Sequence, residues 1–295
     1  MKYKLILLSL VASVLADLPL ELKPCRYHLD IGIPLAEKIR QTEEKILSER
    51  ANPNSDRIVG GVISQPNSHP YLGALIITFW NNPGSSVCGS SLLTANRAVT
   101  AAHCWSNRGL ISREFTVVLG SNFLFSGGTR IPTSNVVVHP QWNDLNLNND
   151  VAVMYLPYNA PLSASIQPIP LASPIPWAET YVGDWAMAAG FGTVSDAQSS
   201  ASTVMSEVNL QVISNLQCQM SYGNVFVIES TLCTSGAGWV GLCGGDSGGP
   251  LVTVRNGQRI LIGIASFAAD SACQQGHPSG FARVTSFYSF ITSNL

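Results

Sequence analysis

Gly245-Asp246-Ser247-Gly248-Gly249-Pro250 sets a single serine in a run of glycines. Glycine adopts backbone angles that other residues resist, so such a run suits a tight turn that aims neighbouring N–H groups the same way. Around it, the chain from Ile58 onward is built from short β-branched and aromatic runs at 75–79, 116–119, 136–138, 151–156, 208–213 and 260–264. Clusters of Gly, Pro, Asn and Ser separate these runs, which is the texture of strands joined by turns. Many short strands over about 240 residues predict an all-β architecture of barrel or sandwich type. Only 284–291 has helical spacing, through Val284, Phe287 and Ile291.

The chain has 295 residues, of which 46% are hydrophobic and 12% charged, with a formal net charge of −2. Charge at half the usual ~25% excludes a disordered or nucleic-acid-binding chain. No lysine follows Lys45, and the part from residue 58 is slightly acidic, so it offers no basic face to a phosphate backbone. Residues 1–16 read as a signal peptide: Lys2 and Lys4 precede an apolar run that is too short to span a bilayer, and Val14 and Ala16 are the small residues a signal peptidase reads. A secreted protein without a membrane span is expected. Residues 17–57 are a separate, charge-rich segment in which Leu35, Ile39 and Ile46 share one helical face, with Glu37, Lys38, Glu43, Glu44 and Lys45 around the rest. An amphipathic helix is predicted there, followed by the exposed linker Ala51-Asn52-Pro53-Asn54-Ser55-Asp56.

Three more strings accompany the glycine-rich one: Arg57-Ile58-Val59-Gly60-Gly61, Thr100-Ala101-Ala102-His103-Cys104 and Asn148-Asn149-Asp150-Val151-Ala152-Val153. In this order and spacing, the four together resemble the chymotrypsin/trypsin family of serine endopeptidases, and most of all its invertebrate (insect) chymotrypsins and brachyurins. The likeness covers residues 58–295. It implies two six-stranded antiparallel β-barrels, a catalytic cleft between them and a C-terminal helix.

A serine hydroxyl is a weak nucleophile at neutral pH and needs a base to take its proton as it attacks a peptide carbonyl. The resemblance makes Ser247 that nucleophile and His103 the base, with Asp150 orienting the imidazole and stabilising its charged form. Ser266 matches the family's serine that hydrogen-bonds this aspartate. The N–H groups of Gly245 and Ser247 match the oxyanion hole, where losing one donor typically costs ~3 to 4 kcal/mol of transition-state stabilisation. It further implies a zymogen cut after Arg57 by a trypsin-like protease, the new Ile58 α-ammonium then pairing with Asp246 to shape the site.

Six of the seven cysteines lie beyond residue 58, which alone leaves their pairing open. The family pattern selects Cys88–Cys104, Cys218–Cys233 and Cys243–Cys273. Ala186 and Thr253 occupy both ends of a further family bridge, so that bridge is absent as a pair. Cys25 is left over, and after cleavage the segment 17–57 is expected to dissociate unless Cys25 pairs with another chain. Gly241 matches the base of the specificity pocket, where trypsin-like enzymes carry Asp, and Ser279 matches its wall. An uncharged pocket preferring aromatic residues or Leu is implied, with smaller apolar residues second. Ala268 replaces a glycine near the pocket mouth, and Asp270 by the rim leaves a broader or partly basic specificity open.

Rival readings have their own signatures. A noncatalytic relative commonly lacks one of the three central residues, and this chain has all of them. A regulatory protease carries extra modules, and a single cysteine in 17–57 is too few to staple one. A simple secreted enzyme, of a digestive, gut-lumen kind, fits better. His28 lies in the pro-segment, and His69, His139 and His277 each precede a proline in turn-like sequence, so none is assigned a catalytic role. Their spacing matches no zinc site, and the absence of Asp and Glu between Phe115 and Asn143 argues against a calcium loop. No cofactor or metal is expected. The expected partners are protein and peptide substrates, the activating protease and protein protease inhibitors, acting on a monomer.

Overall fold

The computed structural model describes residues 26–50, 67–174, 180–193, 205–269 and 274–295. Arg57, Ile58, Cys25, Asp270, Cys273 and the signal segment lie outside the described residues. The chain enters through a π-helical turn, His28–Gly32, and helix α1 (Ile33–Arg50). An antiparallel sheet follows, made of β1 (Leu72–Phe79), β2 (Ser86–Thr94), β3 (Arg97–Thr100), β4 (Ser106–Asn107), β5 (Leu110–Leu119), β6 (Thr129–Thr133), β7 (Val136–Val138) and β8 (Ala152–Tyr155). Its order is β4-β5-β1-β2-β3-β8-β7, with β6 paired to β5. The second half holds β9 (Trp185–Gly190), β10 (Ser206–Ile213), α2 (Asn215–Phe226), β11 (Thr231–Thr234), β12 (Pro250–Arg255), β13 (Gln258–Phe267), β14 (Ser279–Arg283) and α3 (Tyr288–Thr292). Its strands close in the order β10-β11-β14-β13-β12-β9. The all-β, chymotrypsin-like architecture is thus present as a closed six-stranded barrel beside a half-barrel. Among the described residues, the first sheet does not close through strand pairing.

Side chains alternate across a strand, and β1 shows what that implies. Leu75, Ile77 and Phe79 point into the core with Cys88, Phe115, Val117 and Leu119. The opposite face of β1 is apolar as well: Leu72, Ala74 and Ile76 join Val87 of β2 and Val118 of β5. A strand that is apolar on both faces needs cover on both. α1 supplies it through Leu35, Ala36 and Ile39, and burying side chains such as Leu35 and Ile39 is worth about 2 kcal/mol each. The predicted stripe on α1 is therefore the buried one, with Leu35, Ile39 and Ile46 all below a tenth exposed.

Helix α2 was not expected from the periodicity, because its apolar residues form no clear stripe. Its start is nevertheless written in Ser214-Asn215-Leu216-Gln217: the Gln217 N–H donates to Ser214 Oγ at 3.2 Å, and Gln217 Oε1 accepts from the Ser214 N–H at 3.2 Å. The Cys218–Cys233 bridge fastens this helix to β11. α3 is shorter than the predicted 284–291, since Val284 and Phe287 are buried in the turn that leads into it. No helix among the described residues is long and apolar enough to cross a membrane.

Candidate active site

His103 sits in a single 3-10 turn, Ala102–Cys104, directly after β3. The Cys88–Cys104 bridge ties that turn to β2, with a Cα–Cα distance of 6.4 Å. Asp150 lies just before β8, and the residue preceding it, Asn149, takes a positive φ of 59°. Both oxygens of Asp150 engage His103: the main-chain N–H donates to Oδ1 at 2.8 Å, and ring Nδ1 lies 2.7 Å from Oδ2. Ser266, on β13, donates its hydroxyl to Oδ2 at 2.6 Å. His103 and Asp150 are almost fully buried, and Ser266 is 8% exposed. This fixes the ring plane through Nδ1, while Nε2 lies 3.8 Å from Cys104 Sγ. A hydrogen bond to a charged group is worth about 1.5 to 3 kcal/mol, so Ser266→Ala is expected to lower kcat about tenfold with KM little changed, as steady-state kinetics on a small peptide would show.

Ser247 belongs to the turn that leads into β12, in which Gly245 and Gly248 take φ of 103° and 78°. Neither value suits a side chain. The Ser247 carbonyl accepts the Gly89 N–H at 2.6 Å, joining the closed barrel to β2 of the other sheet. This approach is so close that a Cβ on Gly89 would lie 2.8 Å from Gly249 Cα. Thr100 Oγ1 closes the same corner by donating to Gly89 O at 2.8 Å. Among the described residues, Ser247 Oγ makes no hydrogen bond to His103 Nε2. The His103 ring instead meets the edge of Tyr27, with centroids 4.9 Å apart. Catalytic hydrogen bonds are often loose before substrate binds.

Asp246 faces the other way. Its Oδ1 accepts the Gly192 N–H and its Oδ2 the Cys243 N–H, each at 3.0 Å. Burial pushes its pKa up to about 6, against the pull of those two donors. A Cβ on Gly190 or Gly192 would fall within 2.5 Å of its Oδ1, so Gly190-Phe191-Gly192 is a sequence signal for this carboxylate beyond the motif that contains it. A cavity lined by Gly190, Thr193, Glu207, Trp239 and Gly241 reaches Asp246. Ser279 is buried, and its Oγ accepts the Leu242 N–H at 2.9 Å, which fixes the strand beside Gly241. Ala268 is partly buried against the core. Cys243 is disulfide-bonded, and its expected partner Cys273 lies outside the described residues.

Two of the other histidines are accounted for by packing. His69 is buried between Tyr71 and Glu207, and His139 packs edge-on against Phe287 and Phe290. Cys88, His103 and Cys104 cluster tightly enough to suggest a metal site, but both sulfurs are spent in a disulfide. At the site of the absent family bridge, Thr253 Oγ1 donates to Trp185 O at 3.1 Å, next to Ala186. His28, assigned no role from the sequence, is buried against the main chain of His103 and Cys104. Burial, aided by the neighbouring His103, pushes its pKa down to about 3.

A half-barrel and a closed barrel that meet at a buried aspartate–histidine pair and a glycine-set serine define a chymotrypsin-like serine endopeptidase. The chain belongs to the Trypsin family, which it matches over residues 58–291. It is 35% identical to brachyurin from Leptuca pugilator, over 79% of this chain and 96% of that one. It is 32% identical to collagenase from Hypoderma lineatum, over 81% of this chain and 87% of that one. Among solved structures, HL collagenase superposes with a TM-score of 0.71 at 30% identity, covering 80% of this chain and 98% of that chain.

Proposed function

We propose that this endopeptidase is a secreted zymogen that is cut after Arg57 and then cleaves peptide bonds after aromatic residues and Leu. Ser247 Oγ attacks the scissile carbonyl while His103 Nε2 takes its proton and later returns it to the leaving amine. Asp150 and Ser266 hold the imidazole, and the N–H groups of Gly245 and Ser247 receive the oxyanion. The observation that carries this reading is the two-point grip of Asp150 on His103, since it orients one ring nitrogen and leaves the other for proton transfer.

The new Ile58 α-ammonium is assigned to Asp246, one of the residues lining the cavity described above. Gly241 and Ser279 bring no charge to the specificity pocket, and burying a substrate Arg or Lys without a counter-charge is costly. Mass-spectrometric profiling of a peptide library with the trypsin-matured enzyme tests the preference. Cuts concentrated after Phe, Tyr, Trp and Leu are expected, and cuts confined to Arg and Lys would overturn it. Gly241→Asp is expected to raise cleavage after Arg and Lys at least tenfold by supplying the missing counter-charge.

A further inference from the structure

The segment ahead of Arg57 does not lie idle on the surface. Tyr27 donates its hydroxyl to Val87 O at 2.7 Å and its main-chain N–H to Asn107 Oδ1 at 2.8 Å, which sets its ring against that of His103. His28 Nδ1 lies 2.9 Å from Ser86 Oγ. One turn on, Ile31 Cγ2 is 2.7 Å from where a Cβ on Gly244 would sit, and Leu35 Cδ2 is 2.5 Å from where one on Gly245 would sit. The segment therefore covers both the imidazole and the glycine turn that carries the oxyanion donors.

Three features hold it there along the length of α1. Leu35, Ala36 and Ile39 pack on Leu72, Ala74, Val87 and Val118 of one lobe and on Ala189 and Phe191 of the other. The far end is clasped by Glu43, which is buried and accepts the N–H groups of Leu124 (2.5 Å) and Phe125 (2.9 Å) and contacts Ser126 Oγ at 3.4 Å. Arg40 lies over the Phe125 ring, 4.7 Å from its centroid. The family match begins at residue 58, so the segment that makes these contacts lies outside the matched domain.

We propose that residues 26–50 are a tethered inhibitor, a helical plug that occupies the active cleft of the precursor and stays docked after the chain is cut at Arg57. This rests on the catalytic roles given to His103, Gly245 and Ser247. Cutting at Arg57 is then necessary for activity and not sufficient. The plug must leave or be digested, and Lys38, Arg40 and Lys45 give the activating protease places to do so.

The test uses the matured chain purified free of its pro-segment and a fluorescein-labelled synthetic peptide of residues 26–50. Fluorescence anisotropy reads binding, and hydrolysis of a small chromogenic peptide reads inhibition. Binding at about 1 µM or tighter, with a parallel loss of rate, is expected. Peptides carrying Leu35→Glu or Glu43→Gln are expected to bind at least ~10-fold more weakly, while the exposed Glu44→Gln binds unchanged. In the full chain, activity is expected to lag behind scission at Arg57, and Leu35→Glu is expected to abolish the lag. An active enzyme that ignores the peptide at about 100 µM, or binds it with no loss of rate, overturns the inference alone. A matured chain that binds the peptide and hydrolyses nothing supports the docking and overturns the catalytic reading beneath it.

Discussion

Ser247→Ala is expected to lower kcat of the matured enzyme on the order of 10^6-fold, with an unchanged melting temperature. The hydroxyl is the only group at the glycine turn able to form an acyl-enzyme, and the turn is held by the main chain of Gly245, Ser247 and Gly248 and by the Gly89 contact, none of which needs the side chain. His103→Ala is expected to cost a similar amount, and the double variant little more, because a nucleophile without its base and a base without its nucleophile fail at the same step. An organophosphonate should label the wild-type enzyme at one residue and leave Ser247→Ala unmarked. Turnover within tenfold of wild type in a properly folded Ser247→Ala protein would remove the proposed mechanism.

Blocking the cut with Arg57→Gln, or removing its electrostatic consequence with Asp246→Asn, is expected to leave a folded protein roughly 1,000-fold less active, the scale set by misplacing oxyanion donors. Asp246 lies between Gly245 and Ser247, so whatever holds its carboxylate also positions both of those N–H groups. In the uncut chain, a pKa raised to about 6 from 3.8 means that the ionised carboxylate costs about 3 kcal/mol at neutral pH. The sign follows from linkage: a raised carboxylate pKa favours the fold below the ordinary value, and this contribution is lost as pH rises through 6. On the proposed activation, pairing with the new α-ammonium would remove that cost where the carboxylate is charged and the amine still protonated. Cleavage should therefore raise the melting temperature most between about pH 6 and 8, and least near pH 4. In Asp246→Asn the gain should be small at every pH. Calorimetry on cut and uncut chains reads this directly, and a gain independent of pH would contradict the assignment.

The sequence made the strands legible because alternation and turn residues act locally. Runs such as 136–138 and 208–213 fall within β7 and β10. His103, Asp150 and Ser266 are far apart in the chain, and only the family resemblance placed them together; the hydrogen bonds at Asp150 show that they meet. Helix α2 stayed hidden because its signal is a cap at Ser214 and Gln217 rather than an apolar stripe. The stripe of α1 was readable, but a stripe says which face is buried and not against what. The doubly apolar β1, with Leu72 and Ala74 on its outer face, was the clue to its destination. His28 and Tyr27 gave no such clue, since contact with His103 depends on where the helix docks.

The hydrogen bond from Gly89 to the Ser247 carbonyl, with Gly249 close behind it, ties the two lobes together directly at the reacting centre. A join of that kind favours a preformed cleft over one that closes on what it cuts. Discrimination among polypeptides must then reside in the shape and chemistry of the rim, and a rigid wedge complementary to that rim would lose little entropy in settling there.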